Sequence, residues 1–96
     1  MKIYLSGKIS GIEDSAFELF EEAEKDILID GHEVVNPIKL PHKHDKTWEA
    51  YMKECVKALM DCDAVYALSN WKESKGARME VKLAKKLNIR VIKQNK

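Results

Sequence analysis

The segment YLSGKISG, residues 4–11, stands close to the N-terminus and decides how the rest of the sequence is interpreted. The apolar stretch KIYLS, residues 2–6, predicts a β-strand, and the glycines and hydroxyl residues that follow predict a turn. Glycine lets the backbone approach a ligand closely, and backbone amides, hydroxyls and a lysine are groups that bind anions. The turn is therefore either a ligand-binding loop or an ordinary turn that needs glycine. The candidate anion-binding residues are Gly7, Lys8, Ile9, Ser10 and Gly11.

Beyond this turn, segments of helical and strand character alternate along the chain. Apolar residues recur at helical spacing in three segments, and short apolar runs separate these segments. Ser15 and Glu18 have the spacing of a capping box at the start of the first helix, and Gly31 predicts its end. The predicted helices cover residues 15–30, 48–60 and 77–88, and the predicted strands cover 2–6, 32–37, 63–68 and 89–93.

The order βαβαβαβ predicts an α/β fold with a parallel four-stranded sheet and helices on both faces. We expect a single Rossmann-like or flavodoxin-like domain over residues 1–96, with strand order 2-1-3-4. In such sheets a ligand binds beyond the carboxyl ends of the strands where the strand order reverses. Here that crevice lies between the first and third strands, beside GKISG (residues 7–11) and SNWKESKG (residues 69–76).

Composition favours a globular domain, although a local cluster of one sign of charge remains compatible with it. The 96 residues are 45% hydrophobic and 34% charged, with a net charge of +1, which argues against binding to a nucleic-acid polymer or a membrane surface. No apolar run reaches the roughly 18 residues that a membrane span needs. Cys55 and Cys62, seven residues apart on one predicted helix, are too far apart for a disulfide. We therefore expect a cytoplasmic protein with reduced thiols, and no cofactor.

Glu80 is the most informative single residue. Ala77, Val81, Ala84 and Leu87 define the inward face of the third helix, and Glu80 falls within that face. A carboxylate near a helix N-terminus is favourable in itself, which accounts for its position along the helix. The N-terminal position does not account for the location of Glu80 on the inward face of the helix. We therefore predict that Glu80 points into the crevice near Tyr4.

Other residues of the same region are weaker candidates. Ser74 and Gly76 stand at the start of the third helix, where free amides bind anions and serine also serves as a cap. Trp71 is placed to stack on a base or to pack over the sheet, and Asn36 either reaches the crevice or forms a turn with Pro37. The run HKHD, residues 42–45, has metal-binding side chains, but a polar loop explains it at least as well, so no metal site is predicted.

Four segments together resemble the nucleoside 2-deoxyribosyltransferase superfamily, especially its small bacterial and phage members. The resemblance covers nearly the whole chain. These segments are YLSGKISG (4–11), the Asn-Pro pair (36–37), YMKECVKALMDCDAVYAL (51–68) and SKGARMEVKLA (74–84).

The resemblance implies roles for particular residues. In the superfamily a glutamate matching Glu80 attacks the anomeric carbon of a 2-deoxyribonucleoside and displaces the base, and a tyrosine matching Tyr4 orients that glutamate. Related deoxyribonucleoside 5′-monophosphate N-glycosidases hold the 5′-phosphate in a turn that resembles residues 7–11. A further superfamily aspartate, eight residues before the one matching Asp63, is replaced here by Cys55.

Three functional hypotheses follow from these residues. The first is an N-glycosidase or deoxyribosyltransferase with Glu80 as nucleophile. The second is a protein that binds a nucleotide-derived metabolite in the same crevice without turnover, and the third is a structural oligomer with a vestigial pocket. We also expect a homodimer or higher homo-oligomer, because small domains bury little surface. Trp48, Tyr51 and Met52 form the candidate interface, although packing onto the sheet would use the same residues.

Overall fold

The computed structural model describes residues 1–40 and 47–95. In these ranges four parallel strands and three α-helices form the predicted three-layer α/β fold. Short 3₁₀ turns at Pro37–Lys39 and Trp71–Glu73 interrupt two of the connections. The strands are β1 (Lys2–Ser6), β2 (Glu33–Val35), β3 (Ala64–Ala67) and β4 (Arg90–Lys93), and the helices are α1 (Glu13–Ile29), α2 (Trp48–Met60) and α3 (Lys75–Lys86).

The strand order is β2-β1-β3-β4, which confirms the predicted topology. β1 and β3 are the two central strands, with Tyr4 beside Val65 and Ser6 beside Ala67. The chain leaves β1 toward one edge of the sheet and leaves β3 toward the other. The point where the order reverses therefore lies at the carboxyl ends of β1 and β3.

Two apolar cores lie on opposite faces of the sheet, because successive residues of a strand point to opposite sides. Ile3 and Leu5 pack with Phe20 of α1 on one face. Tyr4 packs on the other face with Leu59 of α2 and Val81 of α3. One layer is therefore α1, and the other contains both α2 and α3.

The start of α1 differs from the prediction. The helix begins at Glu13, so Ser15 lies inside its first turn, and the residue at the N-cap position is Ile12, without a side-chain cap. Glu13 accepts a hydrogen bond from the Gly11 amide at 3.1 Å instead. The predicted capping box at Ser15 and Glu18 is therefore wrong, because the chain enters the helix before it reaches Ser15.

The end of α1 follows the prediction. Gly31 has a φ of +85°, a conformation that glycine adopts without strain. Its amide donates to the Leu28 carbonyl at 3.0 Å, and the next amide, of His32, donates to the Ile27 carbonyl at 3.4 Å. These two bonds form the Schellman arrangement that ends many helices.

α3 begins two residues earlier than predicted. Its first residue is Lys75, and the Ser74 hydroxyl caps it by accepting from the Ala77 amide at 3.1 Å. Glu80 therefore lies in the second turn of the helix and not the first. The stabilisation that a carboxylate gains at a helix N-terminus falls off within the first turn, so it explains little of this residue's position.

The opposite end of the sheet holds groups with structural contacts. The Asp63 carboxylate accepts a hydrogen bond from the Lys2 amide at 2.9 Å and so ties the starts of β1 and β3 together.

The two cysteines, Cys55 and Cys62, are both buried, and neither forms a disulfide. Over the described ranges, no helix combines the length and apolar character that crossing a bilayer requires.

Candidate active site

A cavity of about 430 Å³ opens at the carboxyl ends of β1 and β3. It lies on the sheet face covered by α2 and α3, and its size falls within the range of small-molecule sites. Its walls combine aromatic and aliphatic side chains with a few hydroxyls and one carboxylate, that of Glu80, among the described residues. The lining residues are Tyr4, Leu5, Gly7, Ile9, Ser10, Pro37, Thr47, Trp48, Tyr51, Met52, Cys55, Ser74, Gly76, Ala77 and Glu80.

Glu80 has a buried carboxylate whose two oxygens are both held. The Tyr4 hydroxyl donates to Oε2 at 2.7 Å, and the Ser6 hydroxyl donates to Oε1 at 2.7 Å. Only 5% of the residue is exposed. The prediction that Glu80 points inward beside Tyr4 therefore agrees with the observed contacts, and the two donors fix the plane of the carboxylate at the cavity wall.

Burial dominates the electrostatics of Glu80. Removal from water disfavours the charged form and raises the pKa of this carboxyl from 4.5 to about 7, while the hydrogen bonds from Tyr4 and Ser6 act in the opposite direction. A carboxyl with a pKa near 7 is present in both its protonated and its ionised form near physiological pH. Such a shift in a cavity is typical of functional groups.

Tyr4 and Ser6 reach Glu80 because they are two residues apart on β1 and so point to the same face. Tyr4 is fully buried, and its burial, together with the nearby Glu80, raises the pKa of its hydroxyl far above the ordinary value. It therefore stays a hydrogen-bond donor. The sequence analysis did not select Ser6, although the alternation that selected the inward face of Tyr4 also applies to it.

Cys55 lies in the same buried group, on α2. The residue is 1% exposed, and burial raises the pKa of its thiol to about 11, opposed by hydrogen bonding with Tyr4 and Tyr51. At neutral pH it is an uncharged thiol. Tyr51 is half-buried in the cavity wall, and desolvation raises the pKa of its hydroxyl as well.

The glycine-rich turn contributes part of the cavity. Gly7, Ile9 and Ser10 line it, whereas Lys8 and Gly11 do not. Gly7 is tightly packed, since a Cβ there would lie 3.0 Å from the Leu68 Cβ. Gly11 has a φ of +86°, which explains its presence at the end of the turn.

Asn70 fixes the turn from the side of β3. Its Oδ1 accepts a hydrogen bond from the Lys8 amide at 3.0 Å, and a Cβ on Gly7 would lie 3.1 Å from the same oxygen. The turn that follows β1 and the loop that follows β3 therefore hold one another at the point where the strand order reverses.

The N-termini of α2 and α3 meet at the cavity mouth. Trp48 and Ser74 line it, and the ammonium of Lys75 lies 4.4 Å from the centre of the Trp48 ring. This cation–π contact joins the two helix starts. Gly76 lets them approach, since a Cβ on it would lie only 2.9 Å from the Met52 sulfur.

The predicted interface residues of α2 line the cavity. Met52 is buried, Trp48 and Tyr51 are half-buried, and all three belong to the cavity wall. The sequence assigned them either to a subunit interface or to packing on the sheet. In the structure they form part of the wall of a cavity within one molecule, and the subunit interface stays a prediction.

Two predicted contact residues lie outside the cavity. Asn36 is buried, donates to Glu24 at 3.0 Å and accepts from the Ile38 amide at 3.1 Å, so its side chain holds the 3₁₀ turn. Trp71 packs against the core beside α2 and α3, with the Lys93 ammonium 5.6 Å from its ring centre. Neither side chain is among those that line the cavity.

The metal-binding side chains considered in the sequence, His42, His44 and Asp45, fall outside the described residues. Within residues 1–40 and 47–95, no three His, Cys, Asp or Glu side chains come together as metal ligands would.

Solved structures share this fold. A 2-deoxyribosyltransferase from Bacillus psychrosaccharolyticus superposes with a TM-score of 0.74 at 21% identity, over 97% of this chain and 71% of that one. A 2-deoxyribosyltransferase from Leishmania mexicana gives 0.72 at 14% identity, over 96% and 62%. A conserved protein from Enterococcus faecalis gives 0.71 at 17% identity, over 97% and 62%. The chain thus has a nucleoside 2-deoxyribosyltransferase-like fold and spans about two thirds of the length of these proteins.

Comparison with curated proteins gives no significant match. A family model does match, and it covers residues 1–93, which is almost the entire chain and includes every residue of the cavity. The chain therefore belongs to the DUF4406 family, a domain of unknown function.

Proposed function

We propose that this protein breaks the N-glycosidic bond of a 2-deoxyribonucleoside or its 5′-monophosphate, as a hydrolase or a deoxyribosyltransferase, with Glu80 as nucleophile. The observation that carries the proposal is the Glu80 carboxylate, buried at the cavity wall and held through both oxygens by Tyr4 and Ser6. The fold shared with 2-deoxyribosyltransferases supports it.

The chemistry needs a carboxylate in this environment. As the bond between the base and the anomeric carbon breaks, its electron pair leaves with the base and positive charge builds on the sugar. An ionised Glu80 then forms a bond to the anomeric carbon, and water or a second base breaks that bond in the next step. Two hydrogen bonds to the carboxylate fix its direction of attack, which lowers the entropic cost of the reaction.

The cavity walls suit the two ends of such a substrate. Trp48 and Tyr51 offer aromatic surface for a base, and Ser10 and Ser74 offer hydroxyls for a sugar or phosphate. Gly7 and Gly76 belong to the same wall, where the absence of a Cβ lets Leu68 and Met52 pack closely against the backbone. The exposed ammonium of Lys75, 4.4 Å from the ring centre of the lining residue Trp48, would favour an anionic group on the substrate.

The pKa of Glu80 gives the proposal a pH signature. Attack requires the ionised form, and the pKa is about 7. We therefore expect kcat/KM to rise with pH through about 7 and to level off above it.

A specific observation favours a second function, binding without turnover. Glu80 is the one carboxylate among the described lining residues. The resemblance to the superfamily places Cys55 at the position of an aspartate. Since the pKa of the Cys55 thiol is raised to about 11, it is a poor proton donor to a leaving base. Such a pocket would hold a nucleotide-derived metabolite and release it intact.

One experiment distinguishes the two functions. Wild type, Glu80→Gln and the matched surface variant Glu73→Gln are incubated with pooled nucleosides, deoxynucleotides and NAD. Free base is detected by mass spectrometry, and binding is measured by thermal shift in the same samples. Base released by wild type and Glu73→Gln but not by Glu80→Gln supports the nucleophile. A thermal shift without base release supports binding alone, and neither signal with any compound contradicts both functions.

A further inference from the structure

α1 presents an acidic surface. All residues of this helix are described, and every exposed charged side chain on it except Lys25 is a carboxylate. Surfaces usually mix both signs of charge, so a helix of one sign is unusual. The exposed acidic residues are Glu13, Asp14, Glu18, Glu22 and Asp26.

α3 presents the opposite charge. It too is described throughout, and its exposed charged side chains are all basic, since its one carboxylate, Glu80, is buried. The protein as a whole is nearly neutral, with a net charge of +1, so the two helices give it two charged faces of opposite sign. The exposed basic residues are Lys75, Arg78, Lys82, Lys85 and Lys86.

Both charged surfaces also expose large apolar side chains. Phe17 and Leu28 on α1 are 52% and 50% exposed, and they lie about three turns apart on the same side. Met79 on α3 is 47% exposed, and Leu87, which caps the C-terminus of α3, is 51% exposed. Phe17 borders a shallow depression on α1 that is lined by three glutamates, Glu18, Glu21 and Glu22, and by Lys25. Burial of these apolar side chains against a partner would be favourable.

The two surfaces cannot meet within one molecule. α1 covers the sheet face of Ile3 and Leu5, and α3 covers the opposite face with Tyr4. α2, which shares the layer of α3, exposes charges of both signs, Glu49 beside Lys53 and Lys57. Among the three α-helices, the strong bias toward one sign of charge is thus found on α1, where Lys25 is the exception, and on α3.

We propose that the acidic surface of α1 docks on the basic surface of α3 of a second copy of this chain. Each molecule then offers two different surfaces, so the contact is heterologous and builds a closed ring or an open stack. The association is reversible and therefore depends on protein concentration. It is also weakened by salt, because exposed charges are screened.

A second copy fits these observations better than a nucleic acid. A polyanion would use the basic surface of α3 but leave the exposed Phe17 and Leu28 of α1 unexplained. A second copy covers both surfaces at once. The inference is independent of the proposed reaction, because Glu18, Glu22, Lys82 and Lys86 all lie outside the cavity wall.

Charge reversal at matched positions tests the contact. One variant carries Glu18→Lys and Glu22→Lys on α1, and a second carries Lys82→Glu and Lys86→Glu on α3. All four residues are exposed, and each pair is four residues apart on its helix. The control carries Lys53→Glu and Lys57→Glu on α2, with the same spacing as both variants and the same change of charge as the α3 variant. Circular dichroism checks that each variant is folded.

Sedimentation velocity at about 100 μM protein in 20 mM and 500 mM NaCl provides the readout. We expect wild type and the control to associate at low salt, with at least a tenfold weaker association at high salt. Each reversed variant alone should sediment as a monomer, and an equal mixture of the two should associate again, because the reversed surfaces are then complementary.

The remaining outcomes overturn the proposal. Monomeric wild type at low salt contradicts it directly. Association that survives in both reversed variants places the contact elsewhere, and loss in the control as well indicates a general effect of net charge. A mixture that stays monomeric excludes pairing of α1 with α3. In that case a labelled DNA duplex is added to each protein. If only the α3 variant fails to bind the duplex, the basic surface of α3 is assigned to nucleic acid.

Discussion

Replacing Glu80 with glutamine should make the stability of this protein less dependent on pH. Glutamine keeps the shape of the side chain and still accepts a hydrogen bond from Tyr4 or Ser6, but it carries no charge at any pH. The wild-type carboxylate must be ionised inside a nearly dry site at alkaline pH, since only 5% of the residue is exposed. The free energy of unfolding of wild type should therefore fall relative to that of the variant as the pH rises and the carboxylate becomes charged.

The size of the effect follows from the pKa. In the folded protein the pKa of Glu80 is about 7, against an ordinary value of 4.5. The folded state binds this proton more tightly than the unfolded chain does, so the resulting stabilisation is complete below about pH 4.5 and is lost as the pH rises through 7. At about 1.4 kcal/mol per pKa unit, the stability of wild type relative to Glu80→Gln should fall by about 3 kcal/mol between pH 4.5 and pH 8.5.

Urea unfolding at a series of pH values measures this difference. Subtracting the free energy of unfolding of the variant from that of wild type cancels the other titrating groups and any constant effect of the glutamine amide. Glu73→Gln, at an exposed position, provides the control, and its difference from wild type should change by less than about 0.5 kcal/mol over the same range. A difference between wild type and Glu80→Gln that does not vary with pH would refute the idea that burial controls this carboxyl.

Three further substitutions test the geometry of the site. Ser6→Ala removes one hydrogen bond of about 1.5–3 kcal/mol from the carboxylate, so the rising limb of the pH profile of kcat/KM should move up by about 1–2 pH units. Gly7→Ala places a Cβ 3.0 Å from that of Leu68 and should lower the free energy of unfolding in urea by about 1–3 kcal/mol. Gly76→Ala adds a Cβ that would lie 2.9 Å from the sulfur of Met52, so this side chain of the cavity wall must shift. Calorimetry should therefore show a nucleotide affinity at least about tenfold lower. The melting temperature should change little, because alanine favours the helix.

The sequence predicted those features that depend on local periodicity. Helical spacing correctly placed Ala77, Val81 and Ala84 on the inward face of α3, and this is why Glu80 could be identified from the sequence alone. Leu87 was wrongly assigned to that face, because it is the C-cap residue and is 51% exposed. The topology followed from the alternation of strands and helices. Ser6 escaped attention because a serine at the end of a strand is common, although its two-residue spacing from Tyr4 was sufficient to place it beside Glu80.

Other features depend on how the elements pack against each other. The spacing of Trp48, Tyr51 and Met52 showed that they share an inward face, but periodicity cannot distinguish a face that meets the sheet from one that borders a cavity. Asn36 stood at the expected end of β2, yet its contacts with Glu24 and the Ile38 amide depend on how closely α1 approaches that turn. The start of α1 was missed because a helix N-terminus without a side-chain cap leaves no clear signal in the sequence.

The alternation of side chains along β1 keeps chemistry and scaffold apart. Tyr4 and Ser6 serve the cavity, whereas Ile3 and Leu5 serve the core under α1. Substitutions in the core under α1 therefore leave both hydrogen-bond donors to Glu80, Tyr4 and Ser6, unchanged. Deletion of Leu5 would instead damage both layers, because the core under α1 would lose that side chain and Tyr4 and Ser6 would become neighbours that point to opposite faces of the sheet.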